Sequence, residues 1–386
     1  MNKWMIVIII LSISYALFLH NGKNHVEIIE EETIKILGFN TIQNIKKDVY
    51  KSIKFIEDLS IGREEGDEKY IFPAPRDIDS DSQGNIYVLD FMDKTIKSYY
   101  PDGKYRENIS RGGQGPGELL FPNVFCIDKQ DYINILDRWK IEILDNKGIY
   151  IRTIKLENYA EQISENKIGQ IVLGFMTTVK TISKRGEQVY KVGTINIKDG
   201  SINNIYFQKQ PWGLNIQSQE IFLRYPYFVR WATNSKGNIY VGSADKYEIL
   251  VFTSEGEQIF KFIKDYESIP VETEIRRKAI NLMKKAKLAN LEERKKYLRY
   301  YPVFMSISTD EQDRVWVMRY LPYYKDKPSK SRTFDVFSSE GQYLFTTKID
   351  KRIYPHKLVF KNGYVYALVI DESYYSRAVR FRFEEE

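Results

Sequence analysis

Asp81-Ser-Gln-Gly-Asn-Ile-Tyr-Val-Leu-Asp90 decides the fold. A Gly-Asn turn leads into an apolar, β-branched and aromatic run, as at the bend of a β-hairpin. Just upstream lies Phe72-Pro-Ala-Pro-Arg-Asp-Ile-Asp79, a first strand. Thr95–Tyr100 follows as a third, and after the turn Pro101-Asp-Gly103 comes a fourth, Lys104–Ile109. The unit recurs. A second copy runs from Phe121 to Leu156, with Tyr132–Asp137 and Ile141–Asp145 as middle strands. A third clear copy runs from Phe228 to Ile263 through Lys236-Gly-Asn-Ile-Tyr-Val241, and a fourth from Val303 to Ile349 through Asp313-Arg-Val-Trp-Val317. Weaker copies occupy residues 158–207 and 354–383.

A lone four-stranded meander cannot bury both faces, whereas several packed radially can. The spacing therefore predicts an all-β, six-bladed β-propeller of four-stranded antiparallel blades. The last copy lacks a fourth strand, and Ile53-Lys-Phe-Ile56 echoes Phe260-Lys-Phe-Ile263, a fourth strand elsewhere. An N-terminal strand over residues 51–60 is expected to close the ring and remove its open edge. Composition agrees: 43% of residues are hydrophobic and 14% aromatic, with twenty-nine Tyr and twenty-one Phe, enough for a large strand-built core.

The Asp-x-x-Gly-Asn-Ile-Tyr-Val-x-Asp pattern resembles the repeat of NHL-type six-bladed propellers. Leu59-Ser-Ile-Gly62, followed by Arg111-Gly-Gly-Gln-Gly-Pro-Gly-Glu118, resembles a mostly uncharacterised bacterial envelope group within that class. The resemblance covers about residues 50 to 383 and is strongest over 70–156. It departs in the third and sixth units and in an inserted segment. It implies a propeller of the cell envelope.

The N-terminus, Met1-Asn-Lys3 and then an uncharged run from Trp4 to Leu19, has the pattern of an export signal. Residues 1–22 are read as a signal peptide or a membrane anchor, the run being slightly short for a span. No cysteine follows, which excludes a lipoprotein-type anchor. Residues 23–50 form a lead-in, and 51–386 the propeller, with a helical insert at 271–300. The expected location is extracytoplasmic: secreted, periplasmic, or tethered through residues 4–19.

The formal charge of +6 is local: residues 271–300 hold ten Lys/Arg against four Asp/Glu. The rest is near neutral, which with the export-like start argues against nucleic acid as a partner. In this insert Ile275, Ala279, Leu282, Ala286 and Ala289 keep helical spacing, with Arg276, Arg277, Lys284, Lys285 and Lys287 largely elsewhere. Asn290 with Glu293 reads as a capping box for a second short helix. Such a helix pair suits an acidic partner, anionic lipid headgroups, or a solvated lid on its own blade.

The lone Cys126 in Val-Phe-Cys-Ile-Asp reads as a buried, inert thiol. Three histidines are too few for a histidine-based metal site. Gly112-Gly-Gln-Gly-Pro-Gly117 leads into a strand rather than a helix, so it reads as a blade-to-blade turn rather than a phosphate cradle. Asp90, Asp137 and Asp245, at or just beyond second-strand ends, read as turn residues.

The loops joining strands 1–2 and 3–4 are short. Those joining strands 2–3 and successive blades are long, including Ser110–Leu120, Gln208–Arg224 and Lys264–Tyr301. Function is expected on this loop-rich face. Candidate ligand contacts are Arg76, Arg138, Trp139, Arg230, Trp231 and His356, cationic or aromatic groups suited to an anionic or sugar-like ligand; pairing with neighbouring Asp is the plainer role. The reading is a non-catalytic binding or scaffold propeller engaging a protein, peptide or glycan. The alternative is a propeller hydrolase or lyase with a central divalent metal. No catalytic or metal-ligating residue is assigned, and no cofactor is named.

Overall fold

The repeated Asp/Asn of each first turn earns its place by its carboxylate or amide oxygen. Asp81 accepts the backbone N–H of Gln83 (3.0 Å) and Asn85 (2.8 Å), and the Tyr87 hydroxyl (3.0 Å). Asp128, Asn234 and Asp310 repeat the pattern on the residues two and four further along. Three residues after each of these stands a left-handed position: Gly84, Asp131, Gly237 and Asp313. Asp131 and Asp313 take up that less favoured backbone, and each carboxylate accepts a bond from a turn of the blade before it, at Ser82 N and Ser235 N. The turn signal is thus also an inter-blade clasp.

The computed structural model describes residues 34–36, 41–45, 47–166, 168–179, 187–209, 214–218, 221–225, 229–285, 291–292, 295, 298–322, 330–354, 358–371 and 375–385. They form six blades, each with four antiparallel strands, one of them extended by two further strands, and two small two-stranded sheets besides. Blade 1 comprises Pro75–Ser80, Ile86–Asp90, Thr95–Tyr99 and Tyr105–Asn108. Blade 2 comprises Pro122–Ile127, Ile133–Asp137, Lys140–Leu144 and Tyr150–Lys155. Blade 3 comprises Tyr159–Asn166, Gln170–Val179, Glu187–Ile195 and Ile202–Lys209. Blade 4 comprises Val229–Thr233, Ile239–Ser243, Glu248–Phe252 and Gln258–Lys264. Blade 5 comprises Phe304–Thr309, Val315–Arg319, Arg332–Phe337 and Tyr343–Ile349. Blade 6 takes Val359–Lys361, Tyr364–Ile370 and Ser376–Glu385 from the C-terminus, and Ile53–Ile61 from the N-terminus.

The expected closure is therefore present, with Ile53 opposite Glu385 and Ile61 opposite Ala378. Each of the six seams holds its own apolar cluster. Trp316 with Phe334, Phe360 and Phe381 fills the seam of blades 5 and 6; Tyr87, Leu89, Phe125 and Ile135 fill that of blades 1 and 2. Fully burying one such side chain contributes about 1.5–3 kcal/mol, so the seams carry most of the stability. Inner strands are also laced by hydrogen bonds, the Asp77 and Asp79 carboxylates accepting Phe125 N and Ile127 N.

The lead-in does more than deliver the closing strand. Thr41–Asn44 lies parallel to the outer strand of blade 4, and Ile34–Ile36 pairs antiparallel outside it. Buried Asn44 donates to Gly341 O (3.0 Å) and accepts from Tyr343 N (2.8 Å) in blade 5. Asp48 bonds Lys264 Nζ (2.7 Å) of blade 4 and Arg319 Nη2 (2.6 Å) of blade 5, and Tyr50 bridges Thr346. Residues 41–61 thus form a strap across the outer edges of blades 4, 5 and 6.

The insert after blade 4 begins with helix α1, Thr273–Lys285. Its Ala279 and Met283 pack with Val271, Leu298 and Tyr301, as the helical spacing requires. Asn290, Glu293, Ala286 and Ala289 lie outside the described residues. So does Trp4–Leu19; among the described residues no helix is long and apolar enough to cross a membrane.

Candidate functional site

In four blades the inner strand carries a β-bulge where it leaves the loop-rich face, at Arg76, Asn123, Glu161 and Met305. An extra residue there re-aims a side chain out of the ladder. Blade 4 brings Arg230 to the same level without a bulge. The rim of the channel mouth is therefore built from equivalent positions of successive blades.

On this rim the Arg76 guanidinium stacks on Phe91, 4.6 Å from its centroid, and Arg138 on Phe121 at 4.9 Å. Both platforms are fixed by the recurring second-strand carboxylates. Asp90 accepts Ala74 N, Met92 N and Asp93 N, and Asp137 accepts Leu120 N and Phe121 N. These acids hold loops in place, and burial raises the Asp90 carboxyl against those bonds. Arg138 and Trp139 form the tight turn of blade 2, Arg138 in left-handed backbone at φ 60°. Trp139, 47% exposed, meets Tyr159 edge-on at 5.7 Å.

Tyr159 joins the two halves of the mouth electrostatically. Burial raises its phenol, Glu161 raises it further, and Arg76 and Arg138 oppose them. Glu161 is exposed, yet the surrounding protein strips enough water to raise its carboxyl, with Arg230 countering. Arg230 donates Nε to Met305 O of blade 5 (2.8 Å), and burial lowers its basicity while Tyr190 and Glu161 support the charge. Trp139 thus meets Tyr159, with Arg76 and Arg138 within electrostatic reach of Tyr159 and Arg230 within that of Glu161.

Trp231 does not share their surface. Adjacent strand residues point oppositely, and Trp231, 3% exposed, lies in the core between blades 3 and 4. Its Nε1 and the Tyr190 hydroxyl both crowd Gly174, where a Cβ would stand 3.1 and 2.1 Å from them. Neither atom has a hydrogen-bond partner among the described residues. His356 lies outside the described residues.

Tyr159, Glu161 and Asn123 went unread in the sequence, although a signal exists. Arg76, Asn123, Glu161 and Met305 all stand five residues before the Asp or Asn of the first turn, at 81, 128, 166 and 310. The glycine-rich loop is occupied by its own chain: the Glu118 carboxylate accepts Gly115 N (2.9 Å) and Arg111 Nε (2.8 Å). Cys126 is buried, and the sequence holds no second cysteine for it to bridge. Among the described residues no cluster of three or more His, Cys, Asp or Glu is placed to hold a metal ion.

Ring and rim define a class, the six-bladed β-propeller. The chain belongs to the DUF5128 family of 6-bladed β-propellers, whose model matches residues 21–301. Among solved structures it is similar to a Bacteroides fragilis protein predicted to be exported, at 13% identity and TM-score 0.52, covering 90% of this chain and 99% of that one. It is also similar to a DUF4221 family member from Bacteroides vulgatus, at 9% identity and TM-score 0.55, covering 87% and 99%. Virginiamycin B lyase from Staphylococcus aureus aligns at 12% identity and TM-score 0.45, over 86% and 99%. These likenesses are of fold. No curated protein matches the chain.

Proposed function

We propose that the protein is an extracytoplasmic, non-catalytic binding propeller that takes a carboxylate-bearing glycan at the channel mouth. The observation that carries the reading is the exposed Trp139–Tyr159 contact, flanked on neighbouring blades by the ring-stacked Arg76 and Arg138 and by Glu161 at the bulge position equivalent to Arg76. A guanidinium stacked on an aromatic ring keeps its in-plane donors free to fork onto a carboxylate. The exposed Trp139–Tyr159 pair offers the flat apolar surface that sugar rings stack on. Glu161 beside them accepts sugar hydroxyls. The export-like start of the sequence supports the location.

Titration with oligogalacturonides, read by Trp139 fluorescence and calorimetry, tests this against uncharged malto-oligosaccharides and acidic peptides. Saturable binding to the acidic sugar alone is expected. It should weaken by about tenfold in Arg76→Ala or Arg138→Ala, the share of one charge-assisted pair. No saturable binding to the acidic sugar, or unchanged affinity in the double variant, overturns the assignment. Preference for acidic peptides would move the ligand from glycan to protein.

A further inference from the structure

The insert and the chain's approach from residues 1–33 meet at one corner. The outer strand of blade 4 ends at Lys264, and the insert leaves from there. Asn44 pairs with Lys264, and Ile34 pairs with Asn44. Two strand spacings, about 10 Å, therefore separate the start of the insert from the point where the chain arrives. Asp265 N donates to Asn44 O (3.0 Å), fixing the corner.

Helix α1 turns one face inward through Ala279 and Met283. The opposite stripe, Arg277, Asn281, Lys284 and Lys285, is exposed. Lys278 is paired with Glu274, but none of Arg277, Lys284 and Lys285 makes an ion pair with a described residue. A surface kept positive, with no ionic partner among the described residues, on an insert that starts beside the arriving chain fits an anionic plane. We propose that this face of α1 docks on anionic lipid headgroups, as the second membrane contact of a chain anchored through residues 4–19; it rests on the reading of that run as a retained anchor.

The reach is sufficient. Residues 20–33 span at most about 50 Å when extended, so the anchor holds this corner near the bilayer. The linker does not supply the second contact: Glu27, Glu30, Glu31 and Glu32 outnumber Lys23. One weak anchor becomes stable when a basic patch joins it. Each basic residue near an anionic surface is worth about fivefold, so three are worth about a hundredfold.

The test uses the full chain with Asn281→Cys carrying an environment-sensitive fluorophore; a matched probe at Lys147→Cys on the opposite, short-turn face is the control. Cys126 is buried and does not compete for the label. The chain is mixed with phosphatidylcholine vesicles, alone or with phosphatidylglycerol added. Flotation with the neutral vesicles reports the anchor; the fluorophore reports the helix. The expected result is a blue shift at 281 only with phosphatidylglycerol, reversed by salt and abolished by Arg277→Gln/Lys284→Gln/Lys285→Gln, with no response at 147. An identical signal in both vesicle types, or none in either, overturns the docking even if the chain floats. Flotation that requires phosphatidylglycerol keeps the docking and removes the anchor.

Discussion

Asp48→Asn is the substitution that measures what the strap is worth. Asp48 is 27% exposed and accepts from Lys264, whose side chain is 2% exposed, and from Arg319. The Arg319 hydrogen bond is the main force holding its carboxyl at about 2, with Lys264 adding to it and burial opposing. Arg319 keeps Asp335 as a partner after the change, whereas Lys264 is left as a buried ammonium facing an amide. Breaking a fully buried pair costs about 3–5 kcal/mol. A quarter-exposed carboxylate lets water take up part of the loss, which sets the expectation at about 2 kcal/mol. The protonation argument agrees, since a carboxyl held at about 2 rather than 3.8 carries on the order of 2 kcal/mol before screening.

The sign in pH follows from the lowered carboxyl. Its contribution is complete above the unfolded value of about 4 and disappears as pH falls toward about 2. Guanidinium unfolding, followed by the fluorescence of buried Trp316, should show the full gap between wild type and Asp48→Asn at pH 7 and a narrowing gap below pH 4 or so. Asp48→Asn/Lys264→Met should be more stable than Asp48→Asn alone, because the orphaned charge is gone. Equal stability of wild type and Asp48→Asn at neutral pH, or a double variant no better than the single, refutes the reasoning.

Three further outcomes follow from the same geometry. Removal of residues 1–52 should leave a folded ring of lowered melting temperature, whereas removal of residues 1–62 takes away the closing strand with buried Ile53 and Ile61 and should abolish cooperative melting by circular dichroism. Gly341→Ala places a Cβ 2.7–2.9 Å from the Phe262 ring in left-handed backbone at φ 83°; a loss of about 2–4 kcal/mol by denaturant unfolding is expected. Burial lifts the Glu165 carboxyl from 4.5 to about 7, the Lys129 N–H opposing. A raised acid favours the protonated fold, so stability should decline as pH rises from 4.5 to about 7; Glu165→Gln should flatten that decline in a pH series of melts.

The ring was legible because its determinants are local and repeated. Asp81-Ser-Gln-Gly-Asn85 and its copies specify a hairpin through bonds spanning four residues, and repetition carried the reading to blades with weaker signals. Even the closing strand announced itself, since Ile53-Lys-Phe-Ile56 has the apolar pattern of an outer strand. The strap did not. Asn44 and Asp48 are polar, and their partners Gly341, Tyr343 and Arg319 lie nearly three hundred residues away. The site was half legible: Arg76, Arg138, Trp139 and Arg230 stand out by residue type. Trp231 was drawn in by adjacency to Arg230, which strand alternation makes misleading. Glu161 stayed hidden because a bulge shifts the alternation by one residue just where it matters.

The strap and closing strand also set an order of events. Strand Ile53–Ile61 is made before blade 1, and its partner Ser376–Glu385 only after blade 5. Blades 1 to 5 can form their hairpins as they are synthesised, yet the closing strand has no partner until Ser376–Glu385 has been made. Contacts of such sequence separation are slow to form. Until then the chain is an open arc whose unpaired strand edges can pair with other chains. Circularity thus acts as a timer, withholding the finished shape until the third strand of blade 6 has been made.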